Sequence, residues 1–107
     1  MAQGKSEEQI IHDIEYHIGF HRDDCDFPNW YVGITAHPKG RLFNDHNVNK
    51  DDKSDWIYER AVDVRVARRV EKYFVEKHGT ECGPGGGDDR SLFVYAYRVS
   101  SHTSQHV

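Results

Sequence analysis

Apolar residues near the start of the chain recur at helical spacing. Ile10, Ile11, Ile14 and Ile18 share one stripe, and Ser6 and Gln9 ahead of them have the spacing of a capping box. This pattern predicts a helix over about residues 7–21, ended by the turn-forming run "RDDCDFPN". The period then shortens to alternation. Over residues 30–36 Val32 and Ile34 point one way, and Tyr31, Gly33 and Thr35 the other, as in a strand. His37-Pro38 begins a short helix, since proline suits a first helical position, and the polar loop "NVNKDDKSD" follows.

"WIYERA" reads as a second strand, with Trp56, Tyr58 and Arg60 alternating against Ile57, Glu59 and Ala61. Asp63 can cap a helix over residues 64–78 whose core stripe is Val66, Val70, Tyr73 and Phe74, with Gly79 as its terminator. A glycine-rich loop, "GTECGPGGGDDR", leads to "SLFVYAYRV", the strongest strand in the chain. The order is α-β-α-β-α-β, which predicts an α+β fold: a small three-stranded antiparallel sheet flanked by three helices. The 107 residues support one domain, with its core over about residues 6–99 and "SSHTSQHV" as a frayed tail.

Composition narrows the class. Charged residues make up 30% of the chain, and no run approaches the roughly 20 apolar residues needed to span a bilayer. The sequence "MAQGKSEEQ" lacks the apolar stretch of a secretory signal, so the expected location is the cytoplasm, where Cys25 and Cys82 would be free thiols. A net charge of −4 argues against non-specific nucleic-acid binding by basic excess. Local basic character comes from Arg65, Arg68, Arg69 and Lys72, which are either a solvated helix face or a track for a DNA backbone. His17, His21 and Cys25 fall at four-residue intervals that could place soft ligands on one helix face, although solvated histidines beside a turn suit them better. "GPGGGDD" lacks the lysine ending of a phosphate loop.

The stretch "NWYVGITAHPKGRLFNDH" carries the most chemistry. Tyr31, Gly33, Arg41 and His46 combine a strand hydroxyl, an uncrowded backbone position, a cation and an imidazole. Glu71 lies at the rim of the later helix's apolar stripe, from where it can look across the sheet surface of Tyr31, Gly33 and Thr35. Phosphodiester cleavage needs a group that orients or deprotonates water, a cation for the developing charge and a metal near the leaving oxygen. Tyr31, Arg41 and Glu71 are the right types, and one carboxylate with waters suffices for Mg²⁺. Each also has a plainer role: Tyr31 in packing, Arg41 paired with Asp45, Glu71 paired with Arg68 or Lys72.

"YVGIT", with Arg41 eight residues after Gly33 and then His46, resembles the second half of the GIY-YIG nuclease motif, and the likeness covers about residues 29–78. The resemblance implies a metal-dependent endonuclease in which Arg41 stabilises the charged transition state and Glu71 holds one Mg²⁺ or Mn²⁺. Gly33, Thr35 and Lys39, with the basic cluster, would contact DNA. The GIY half of the motif and the family's terminal asparagine are missing. Phe93, Tyr95 and Tyr97 share one face of the last strand. If that strand pairs beside "YVGIT", Tyr95 or Tyr97 supplies the missing hydroxyl from the other end of the chain and joins Tyr31 and His46 in proton transfer. The alternatives are a catalytically inactive module of this type that binds nucleic acid or protein, and a homodimer formed through the last strand as an exposed edge.

Overall fold

Ser6 and Gly19 bracket the first helix in the computed structural model, which describes residues 4–19, 27–82 and 90–105. The Ser6 hydroxyl accepts from the Gln9 amide at 3.2 Å, starting α1 (Glu7–Ile18). Gly19 ends it in the left-handed region at φ 112°, so the helix stops three residues short of the expected 21. Ile10, Ile14 and Ile18 are buried, as their spacing predicts.

The three strands, β1 (Trp30–Thr35), β2 (Trp56–Arg60) and β3 (Phe93–Arg98), form one antiparallel sheet in the order β1-β3-β2. The expected α+β architecture is therefore present, with the last strand in its centre. In the register Gly33 faces Tyr95 and Tyr31 faces Tyr97 on one side, while Tyr58 faces Tyr95 on the other. The pairing of "YVGIT" with the final strand is as expected. The expectation that β3 offers an edge for a second chain is not met: both its edges are paired, and Tyr95 and Tyr97 are buried. The outer edge of β1 is also covered, because Val32 donates to the Glu81 carbonyl at 3.0 Å and Glu81 donates back to Trp30 at 2.8 Å.

Each face of the sheet has its own core. Trp30, Val32, Ile34, Val94 and Ala96 pack against α1, against Val66, Ala67 and Val70 of α2 (Val64–Tyr73), and against Phe74 of the π-helical turn that continues it over Phe74–His78. Asp63 caps α2 by accepting from the Val66 amide at 3.0 Å, and Gly79 ends the turn at φ 70°. Tyr73 lies at the rim of the apolar stripe and donates its hydroxyl to Glu15 at 2.7 Å. On the opposite face Tyr31, Tyr95 and Tyr97 pack with Leu42 and Val48.

The third helix is a short π-helical segment, Gly40–Asp45, preceded by a turn in which the Thr35 hydroxyl accepts from the His37 amide at 3.0 Å. A helix this short is marginal by itself. Complete burial of Leu42, which contributes about 2 kcal/mol, anchors it to the sheet.

Residues 100–105 are not frayed. Ser104 donates its amide to the His46 carbonyl at 2.9 Å, and Asn47 donates to the His102 carbonyl at 2.9 Å. His21, Cys25 and residues 83–89 of the glycine-rich loop lie outside the described residues. Among the described residues no helix is long and apolar enough to cross a membrane.

Candidate functional site

His46 sits immediately after the Gly40–Asp45 segment, where its backbone amide closes the helix onto the Arg41 carbonyl at 2.8 Å. Its ring is completely buried. Nδ1 lies 2.6 Å from the Ser104 carbonyl, and a carbonyl can only accept, so Nδ1 carries the proton. Nε2 is therefore a bare acceptor, and the Tyr95 hydroxyl donates to it at 2.8 Å. The Tyr97 hydroxyl, 3.1 Å from Nδ1, donates to Gln105 Oε1 at 3.1 Å.

The Arg41 guanidinium and the Tyr31 hydroxyl lie near enough to the Tyr95 hydroxyl to act on it electrostatically. The result is a directional pair, Tyr95 to His46, closed by the Ser104 carbonyl, with the Tyr31 ring stacked beside Tyr95 at 6.0 Å. The Tyr31 ring stacks on Tyr97 at 5.0 Å and lies 4.7 Å from His46, so the assembly is packed as well as hydrogen-bonded.

The electrostatics follow from burial. Desolvation pushes the Tyr31, Tyr95 and Tyr97 hydroxyls above the ordinary phenol value, so all three stay protonated at neutral pH. Desolvation pulls His46 down, the nearby Arg41 charge adds to that, and the ring is neutral. For Arg41 burial opposes the charge, but the hydrogen bond it donates to Asp45 and the influence of Tyr95 outweigh it and hold the guanidinium firmly protonated. Its Nη1 is 3.0 Å from Asp45 Oδ2, a pair in which the aspartate side chain is 47% exposed.

Glu71 approaches from the other side of the sheet. It lies half-buried at the rim of α2, where burial raises its carboxyl above the usual range and Arg68 partly offsets that. Among the described residues its carboxylate makes no hydrogen bond or ion pair. Its charge acts on the Tyr31 hydroxyl, as does that of Arg41. Charges on elements packed against opposite sheet faces thus both act on Tyr31 of β1.

Three groupings differ from expectation. Gly33 does not leave an open backbone surface: a Cβ built there would lie 2.7 Å from the Tyr95 hydroxyl, so the tyrosine ring fills the space reserved for a phosphate. Thr35 is buried and committed to the His37 amide. Arg65, Arg69 and Lys72 are tied to Asp63, Glu7 and Glu76 at 3.5, 2.6 and 3.9 Å, on the solvent face of α2 and away from Arg41. Only Arg68 of that cluster acts on the site, through Glu71. Lys39 is exposed beside the Gly40–Asp45 segment.

Ser104 and Gln105 belong to the site and could not be read from the sequence, because a short polar terminal run carries no periodic signal. Among the described residues no cluster of three or more His, Cys, Asp or Glu side chains could hold a metal ion. Glu71 alone fits a hard divalent cation: a half-buried carboxylate without an internal partner can complete its coordination with waters and substrate oxygens.

Burial of neutral His17 and His46 sets a pH dependence. Both have folded pKa values below the 6.5 of the unfolded chain, so as pH falls through that region the unfolded state takes up protons that the fold refuses. Stability is full above about pH 6.5 and drains below it, by up to about 1.4 kcal/mol per pH unit for each proton. Glu59 and Glu71, raised by burial, work the other way just above their unfolded value of 4.5. Urea unfolding should therefore show stability falling from pH 7.5 to 5.5, with a shallower slope in His46→Gln. An unchanged slope in that variant would rule out a neutral, buried His46.

No protein-family model, curated protein or solved structure matches this chain.

Proposed function

We propose that the protein is a metal-dependent endonuclease of GIY-YIG type, in which the last strand stands in for the missing half of the motif. The observation that supports this most is that the charges of Arg41 and Glu71, one cation and one carboxylate, both act on the Tyr31 hydroxyl, beside the hydrogen-bonded Tyr95–His46 pair.

Arg41 binds the phosphate. Its present partner Asp45 is half exposed, and exposed pairs contribute only about 0–1 kcal/mol, so a doubly charged transition state displaces the aspartate without large loss. Glu71 would hold Mg²⁺ or Mn²⁺, and the bound ion supplies neutralisation of charge at the leaving oxygen. Tyr31 orients the attacking water. As the water gives up its proton to Tyr31 Oη, Tyr31 passes its own proton to Tyr95, and Tyr95 passes its proton to His46 Nε2. No tyrosinate forms at any stage, so the raised phenol pKa values are no obstacle. The cation produced on His46 is steadied by the Ser104 carbonyl at Nδ1.

A second reading has its own support. Tyr31, Tyr95 and His46 are at most 2% exposed, and the net charge is −4, which suits a module that kept the scaffold and binds without cleaving. Nicking of supercoiled plasmid separates the two. The wild type should nick with Mg²⁺ or Mn²⁺ and not with EDTA, and Glu71→Gln should lower the rate at least tenfold. Salt-dependent binding without turnover, or an unaffected Glu71→Gln, would overturn the nuclease reading.

A further inference from the structure

The turn between β1 and the Gly40–Asp45 segment overhangs the sheet. Ala36, His37, Pro38, Lys39 and Gly40 face Tyr58 and Phe93 across an open groove of about 470 Å³. That volume lies in the roughly 300–1,000 Å³ range of small-ligand clefts. Its floor is aromatic: the Tyr58 and Phe93 rings are 5.9 Å apart at 72°, and Tyr58 stacks on Trp56 at 6.0 Å and 11°. All three rings are partly exposed, in contrast to the buried Tyr95 and Tyr97 of the same sheet face.

The charges around the groove are uncommitted. Lys39 on its wall makes no ion pair among the described residues, and neither does exposed Arg60, which faces Phe93 in the strand register. The Tyr58 hydroxyl is likewise without a hydrogen bond among the described residues. On the basic cluster of α2, by contrast, three of four cations are already paired. Acidic Asp51 and Asp52 precede Trp56, so an anion is favoured at the Lys39 and Arg60 end.

An aromatic floor with free cations at its rim matches a flat ring carrying a phosphate. We infer that the groove takes an unpaired nucleobase of a single-stranded nucleic acid, stacked on Tyr58 and flanked by Phe93, with its phosphates on Lys39 and Arg60. Bases in an intact duplex are already stacked on each other and cannot enter. Lys39 precedes Arg41 by two residues, so their Cα atoms are within about 8 Å. The stacked base then belongs to a nucleotide close to the phosphate held by Arg41. This assigns single-stranded, gapped or flapped nucleic acid as the substrate class, and to that extent it rests on the nuclease reading.

The test is binding by the full chain in EDTA, read by fluorescence anisotropy with a labelled 12-nucleotide oligothymidine and with a duplex of the same length. Single strands should bind at least tenfold more tightly than duplex. Tyr58→Leu should weaken single-strand binding about tenfold to a hundredfold, the range of one lost base stack. Lys39→Ala, an exposed and unpaired site whose loss leaves the fold intact, should weaken it and lower the salt slope by about one. Equal affinity for both forms, or single-strand binding untouched by both substitutions, would overturn the proposal. Because no cleavage is needed, the two readings fail separately. Sensitive single-strand binding without metal-dependent nicking sinks the nuclease and keeps the groove, whereas nicking with insensitive binding does the reverse.

Discussion

Arg41→Ala is expected to reduce metal-dependent nicking about 10²–10³-fold while leaving stability within about 1 kcal/mol of wild type. The activity figure is that for removing a pre-placed donor aimed at developing charge in a partly dehydrated site. The guanidinium qualifies, since its side chain is only 26% exposed and is held by Asp45. The stability figure is small because the Asp45 pair is half in water. Arg41→Lys should recover only part of the activity: an ammonium keeps the charge but loses the fork that can hold Tyr95 and a phosphate oxygen together. Supercoiled-plasmid nicking rates and urea midpoints measured on the same preparations check both halves. Nicking retained within a few-fold in Arg41→Ala would remove the arginine from the mechanism.

Gly33→Ala should destabilise the fold by about 1–3 kcal/mol, against the usual direction for glycine in a strand. Replacing glycine with alanine within a strand ordinarily gains about 0.5–1 kcal/mol of backbone entropy. Here the new methyl would lie 2.7 Å from the Tyr95 hydroxyl and 2.8 and 3.0 Å from two ring carbons. Relief by rotation is blocked, because Tyr95 is 1% exposed and tied to His46. The overlap therefore outweighs the entropy, and displacement of Tyr95 should break the chain to His46 and depress nicking as well. A double-mutant cycle tests the cause: on a Tyr95→Leu background the cost of Gly33→Ala should shrink towards zero or change sign. An equal cost on both backgrounds would show that the ring is not what excludes the methyl.

Much of the fold could be read from local pattern. The Ile10, Ile14 and Ile18 stripe, the Asp63 cap, the Gly79 terminator and the alternation that sends Tyr31 to one face and Val32 to the other are all near-neighbour effects. The pairing of β1 with β3 could be anticipated because the site lacked a hydroxyl that only the last strand could provide. What escaped depended on distant partners. The apolar stripe alone does not reveal that Gly19 turns left-handed before the helix runs out. The space above Gly33 depends on a register that sets Tyr95 opposite it, across more than half the chain. Ser104 and Gln105 look like a loose end until His46 and Tyr97 are placed beside them. Part of the basic helix face seemed available to DNA because the acidic partner of Arg69, Glu7, comes from another element.

The central position of β3 bears on how the protein is made. β1 and β2 do not touch each other in the sheet, and each is hydrogen-bonded to the strand synthesised after both. On the ribosome the two earlier strands therefore emerge without a mate, and every sheet contact must wait for Phe93–Arg98. Until then Trp30, Val32 and Ile34 have only the nascent helices to shelter them, so chaperone occupancy on translating chains should fall steeply as that segment clears the exit tunnel.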